Sequence, residues 1–188
     1  MKTCKLFFTL GLVAVMSVSV LAQTASATMN VTAELLQGLQ IVSQVNLNPG
    51  KFVLTGAAGL TDNSFIITPN ATSQGLSPVI GFVEDPAPGS FQVSGSPGAS
   101  VMVKISSSVT LSHSTDDASE FALETVAEVA GIGTFTDDNA GFITRTFFLG
   151  NSDGNSPVIS VGGTLGGIDQ SDSAGSYSGT IDINVEYQ

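Results

Sequence analysis

A chain of 188 residues, 42% hydrophobic and 11% charged, is sized for one compact domain, too short for a two-domain enzyme and too apolar for intrinsic disorder. Its 16 Asp and Glu against 5 Lys and Arg give a net charge of -11, which repels nucleic acid and anionic membrane surfaces. One cysteine, Cys4, and one histidine, His113, exclude both a Cys/His zinc site and a disulfide framework, so burial alone must hold the core.

Lys2 and Lys5 precede a mostly apolar run over residues 6–22, and Ala25-Ser26-Ala27 has the small-x-small form that signal peptidases read. Residues 1–27 are therefore expected to be a secretory signal peptide, with Val20-Leu21-Ala22 offering a second cleavage point. The run falls short of the ~20 apolar residues that span a bilayer, so no membrane insertion of the mature chain is expected. The predicted route is export through the inner membrane to the periplasm and then the cell surface or the medium. Cleavage after Ala27 leaves Lys51, Lys104 and Arg145 as the only cations. A mature chain of about 160 residues can bury roughly 70% of its unfolded surface, enough to fold without disulfides.

Directly after the leader, Met29, Val31, Ala33 and Leu35 alternate with Asn30, Thr32 and Glu34. Period-two alternation recurs in Phe91-Gln92-Val93, in Val101-Met102-Val103-Lys104-Ile105, in Val109-Thr110-Leu111 and in residues 181–187, and marks half-buried antiparallel strands. Turn clusters separate them: Asn48-Pro49-Gly50, Asp85-Pro86-Ala87-Pro88-Gly89, Ser96-Pro97-Gly98, Asp153-Gly154-Asn155 and Gly162-Gly163. Their spacing predicts an all-β sandwich or barrel. Residues 118–129 read equally as a helix or, from Phe121, as a strand. No composition break divides the chain after the leader.

None of the candidate chemical motifs is complete. Ser112, His113 and Asp116 are neighbours in sequence, but a triad is assembled from distant segments and no nucleophile elbow is present, so His113 is expected in a solvated loop. Asn151-Ser152-Asp153-Gly154-Asn155 opens like a calcium loop, yet Ser156 and Gly162 stand where the turn glycine and the bidentate Glu belong, and a hairpin turn is the better reading. Asp116-Asp117 and Asp137-Asp138 read as solvated loop charge. Gly162-Gly163-Thr164-Leu165-Gly166-Gly167 lacks the Lys-Ser/Thr ending of a phosphate loop and is expected to be a tight turn. The acceptor patterns at Asn30 and Asn70 are short enough to arise by chance, and no glycan is assigned. No catalytic residue, cofactor or metal site is predicted.

The C-terminal stretch keeps one parity: Gly175, Tyr177, Gly179, Ile181, Ile183, Val185 and Tyr187 alternate with polar residues. One face is buried, and a chain ending on such a strand leaves the neighbouring strand position to another segment. Tyrosine is penultimate and a glycine, Gly175, lies fourteenth from the end. This placement resembles the C-terminal motif of bacterial chaperone-usher pilins. With Phe91-Gln92-Val93-Ser94-Gly95-Ser96-Pro97-Gly98, Val161-Gly162-Gly163-Thr164-Leu165 and Ala174-Gly175-Ser176-Tyr177-Ser178-Gly179, residues 40–188 also resemble the secreted bacterial family catalogued as domain of unknown function 4402, grouped with fimbrial adhesin domains.

The resemblance implies an immunoglobulin-like, pilin-like β-sandwich over residues 39–188 that lacks its last strand. It implies residues 28–38 as an extension donating Met29, Val31, Ala33 and Leu35 to a neighbour, and the C-terminal strand as the acceptor gripped by a periplasmic chaperone. Partners would then be copies of the chain itself in a head-to-tail polymer, that chaperone and an outer-membrane usher. The many pilins that carry an intradomain disulfide differ from this chain, which has no cysteine after Cys4. From the residues alone, 29–35 serve equally as the first strand of their own domain. The expected function is a non-enzymatic structural subunit of a surface fibre supporting adhesion or biofilm. The alternative is a self-complete secreted module binding a glycan or surface ligand, for which the absence of Trp and the two tyrosines provide few stacking platforms.

Overall fold

The computed structural model describes residues 32–56, 59–70, 74–75, 78–116, 118–151 and 155–188. Its body is Leu35–Gln188. The expected leader, together with Met29 and Val31, lies outside the described residues, as does Asp117.

The described chain is all strand, in fifteen segments and without a helix. They are β1 (Gln40–Val45), β2 (Lys51–Leu54), β3 (Asn63–Ile67), β4 (Gln74–Gly75), β5 (Ile80–Glu84), β6 (Gly89–Ser94), β7 (Ser100–Ser106) and β8 (Ser108–His113). There follow β9 (Glu120–Val129), β10 (Gly133–Thr134), β11 (Thr136–Asp137), β12 (Phe142–Phe148), β13 (Ile159–Ile168), β14 (Tyr177–Ser178) and β15 (Ile183–Tyr187). The ambiguous stretch after Ala118 is thus a strand. In β9, Phe121, Leu123, Thr125, Ala127 and Val129 are buried and the residues between them point outward, a period of two that a helix cannot satisfy.

The architecture is an antiparallel sandwich. One sheet runs β1-β6-β13-β9-β8-β14, with β3 and β4 continuing from the far half of β13; the second runs β11-β12-β7-β15. Between them lies one core, with Val93, Val101, Val103, Ile105, Val129 and Ile159 fully enclosed. The other half of the large sheet is roofed by the antiparallel β2–β5 pair, whose Phe52 and Phe82 meet Phe65 edge to face at 5.2 and 5.0 Å. There Phe65, Ile67, Leu165 and Ile168 form a second core. Antiparallel strands with alternating burial give this division, because each inward residue must find cover in a facing layer.

Four local readings need correction. Gly162-Gly163 is not a turn but the middle of β13. A Cβ on Gly162 would lie 2.0 Å from the Ile67 carbonyl oxygen and one on Gly163 2.3 Å from that of Glu124. Glycine is there because two neighbouring backbones approach too closely for any side chain. The chain from β12 to β13 is not a hairpin either, because it crosses between sheets and is closed by Gly150 N–H to Asn155 O at 2.8 Å; its residues 152–154 lie outside the described set. His113 is buried at the end of β8, where its ring meets Tyr177 edge-on at 4.9 Å and Nδ1 accepts Thr115 N–H at 3.2 Å. Ile181 precedes the last strand, which begins at Ile183.

The last strands explain their own sequence. β7 and β8 form one bent path that leaves the small sheet for the large one at Ser107, and residues 177–187 run alongside it in the opposite direction. β14 pairs with β8 (Tyr177 opposite His113) and β15 pairs with β7 (Val185 opposite Val103). Ser106 N–H bonds Asp182 O at 3.0 Å across the bend. Gly175 and Gly179 sit where side chains would strike the His113 ring and the Thr110 carbonyl.

Candidate functional site

Where β1 and β15 bound their sheets, the sandwich is not closed. Each pairs on one side only, β1 with β6 and β15 with β7, and no described strand pairs their outer edges. On β15, Ile183, Val185 and Tyr187 face inward over Ile105, Val103 and Val101. The β7 residues are fully buried, whereas those of β15 are only partly covered. β1 shows the same step: Ile41 shares the core face with its partner Val93, yet Val93 is 0% exposed and Ile41 42%. Burial ends within one strand because no layer among the described residues covers Ile41.

The opening is a cleft of about 460 Å³ lined by Ile41, Val45, Leu47, Phe91, Val161, Ile181 and Ile183, with Asn46, Gly89, Ser90, Gly179 and Thr180 completing it. None of these is ionisable. Such a surface suits an extended segment with apolar side chains at alternate positions, whose backbone can satisfy a free strand edge. The polar residues of β15, Asn184 and Glu186, point the other way; Glu186 meets Lys104 at 2.9 Å on the outer face.

Of the expected acceptor residues, the structure places Ile181 and Ile183 in the cleft, with Gly179. Val185 continues the same inner face. Gly175 and Tyr177 lie elsewhere, against β8, where Tyr177 stacks on Phe121 with centroids 4.0 Å apart. Tyr187 has a separate task. Its hydroxyl donates to Gln37 O at 2.6 Å and accepts Ser96 N–H at 2.8 Å. Of the expected donors, Ala33 and Leu35 are exposed and in no strand, Leu35 at 96%. Sequence reasoning missed Ile41, Val45 and Leu47, because β1 has no clean alternation. Its adjacent pair Ile41-Val42, apolar on both faces and both exposed, is the signal available.

A second cleft, about 650 Å³, opens beside β2. Phe52 of β2 lines it from one side and Phe121, Leu165 and Tyr177 of the large sheet from the other, with Asp169, Gln170 and Asp172 also in its lining. These last three are occupied with backbone N–H groups: Asp62 N–H bonds Asp169, Asp169 N–H bonds Asp172, and Gly59 N–H bonds Gln170. Nearby, Asp116 accepts hydrogen bonds from Ser173 Oγ, Ala118 N–H and Ser119 Oγ, and these hold its carboxyl below the usual aspartate range. No His/Cys/Asp/Glu group able to hold a metal occurs among the described residues. Ser112 and His113 lie on opposite faces of β8, the serine bonded to Glu120 in solvent, so they cannot act on one substrate.

The fold and the cleft define an all-β antiparallel sandwich built around strand pairing. The chain belongs to the family described as Domain of unknown function (DUF4402), which matches residues 39–187. No curated protein matches it.

Proposed function

We propose that this protein is a non-enzymatic structural subunit of a bacterial surface fibre, assembled head to tail by strand exchange between immunoglobulin-like, pilin-like domains. The observation that carries the reading is the uncharged cleft beside the edge strands β1 and β15, where core-face residues such as Ile41 are left exposed by the described residues. The segment bearing Met29, Val31, Ala33 and Leu35 has the matching alternation, and Leu35 is available in solvent. A head-to-tail contact of this kind does not close on itself and so builds filaments. In this reading the chain is exported by its leader, and a periplasmic chaperone covers the cleft until an outer-membrane usher exchanges it for the next subunit.

An unboiled denaturing gel of protein from the cell surface tests this. A ladder of heat-sensitive multimers is expected, and it should vanish when residues 28–38 are deleted while the body stays folded. A ladder that survives the deletion overturns the reading. The larger cleft beside β2 favours a second reading, a self-complete binding module using Phe52 and Tyr177 as apolar walls. A single monomer band from both proteins, with specific binding of the monomer on a glycan array, would favour it.

A further inference from the structure

Gln37 is held on both sides. Its N–H donates to Ser96 Oγ at 2.5 Å, and its carbonyl accepts from the Tyr187 hydroxyl at 2.6 Å. The same hydroxyl accepts Ser96 N–H at 2.8 Å, so one oxygen ties the end of β15, the β6–β7 turn and the chain ahead of β1. The site is shaped for that oxygen. A Cβ on Gly95 would lie 2.5 Å from it, and Ser96 is itself buried.

The latch stands beyond one end of the open cleft. Cleft-lining residues come from β1 onward and from residues 179–183, whereas Gln37 and Tyr187 are not among them. A segment ahead of Gln37 that filled its own cleft would have to reverse direction within residues 36–38. Gly38 is unobstructed and could turn. Reversal through Gln37 and Gly38 rotates the peptide units on either side of Gln37, and the latch hydrogen-bonds one group from each, so a latched chain can turn only at Leu36 or earlier and has a shorter segment left to fill the cleft.

We propose that the Tyr187–Gln37–Ser96 latch prevents the N-terminal segment from folding back into its own cleft and so directs it to the cleft of a second copy. The inference rests on the strand-exchange reading above. It makes Gln37 and Ser96 positioning residues for assembly, although neither lines the cleft.

The test uses Ser96→Ala, which removes one latch bond without touching β15, alongside Tyr187→Phe, which removes two and keeps the ring. In the monomer, hydrogen exchange should rise at the Gln37 amide in Ser96→Ala and at the Ser96 amide in Tyr187→Phe. The rise expected for one lost hydrogen bond is about tenfold. The Val103 amide should not change. Assembly is then read with Leu35→Cys and Ile183→Cys in a Cys4→Ser background under mild oxidation. The parent should give disulfide-linked multimers, and adding Ser96→Ala should shift the bridge to within one chain by at least severalfold. Unchanged exchange, or faster exchange with an unchanged ratio of bridges, overturns the latch. A parent that forms neither bridge nor heat-sensitive ladder overturns strand exchange itself, an outcome that the exchange data distinguish from failure of the latch. If Tyr187→Phe fails to fold, Ser96→Ala carries both readouts alone.

Discussion

Two glycines on one strand should respond to the same substitution with opposite sign. In Gly162→Ala the new Cβ would sit 2.0 Å from the Ile67 carbonyl oxygen and 3.0 Å from the Pro69 nitrogen. Ordinary contact begins near 3.4 Å, so two backbones must separate by more than 1 Å at the point where β13 exchanges β6 for β3 as its neighbour. Overpacking of this kind costs about 1–3 kcal/mol. Against it stands a gain of about 0.4–1 kcal/mol from the lower entropy of the unfolded chain. The steric term wins, leaving a loss of about 1–2 kcal/mol or more. In Gly166→Ala the nearest heavy atom is Ser64 Cβ at 3.7 Å and φ is not in the left-handed region, so only the gain remains. At about 2–4 °C per kcal/mol for a domain of this size, melting should fall by several degrees in the first variant and rise by a degree or more in the second. Thermal unfolding followed by far-ultraviolet circular dichroism, with urea midpoints as a check, measures both. Equal or greater stability of Gly162→Ala, or an equal loss in Gly166→Ala, would refute close backbone approach as the reason for glycine.

Val103→Ala removes two methyl groups from a fully enclosed site between the sheets, and a loss of about 2–3 kcal/mol in urea unfolding is expected. Asp116→Asn concerns the acid limb. Its carboxyl is held low chiefly by the Ser173 hydroxyl, then by Ala118 N–H, so its contribution is present above the ordinary aspartate value of about 3.9 and lost as pH falls through the lower folded value. The wild type should therefore lose stability more steeply than the variant below about pH 4, and parallel acid-unfolding curves would refute this. Thr125→Val should cost about 1–3 kcal/mol, because the buried Thr125 hydroxyl donates to Ser106 O at the bend between β7 and β8.

The legible parts of the fold were those where one strand's own residues decide its faces. In β6, β7 and β15 the inward residues alternate without interruption, so period and burial coincide; β9 alternates as cleanly in the structure, but its helix-forming residues left its sequence level between helix and strand. β13 was illegible because its glycines answer to Ile67 and Glu124, partners far away in sequence. His113 was misplaced for a related reason: what buries it is Gly175 and Tyr177, which arrive on another strand. At the candidate site the β15 half could be read from parity, but the β1 half could not, since Ile41 and Val45 stand on a strand with a register shift after Ser43. The role of Tyr187 was hidden too; a penultimate tyrosine announces a buried ring but not that its hydroxyl reaches Gln37.

The side-by-side bend of β7–β8 and β14–β15 bears on the order of events during biogenesis. A chain made amino end first delivers β7 and β8 well before residues 177–187, which must lie against both. Until they emerge, each sheet has a raw edge and the inner faces of β7 and β8 lack their neighbours. Closure is thus a late, long-range event, the kind that makes folding slow and leaves sticky strand edges waiting. In that interval the free edges of β7 and β8 are the part of the chain most open to mispairing.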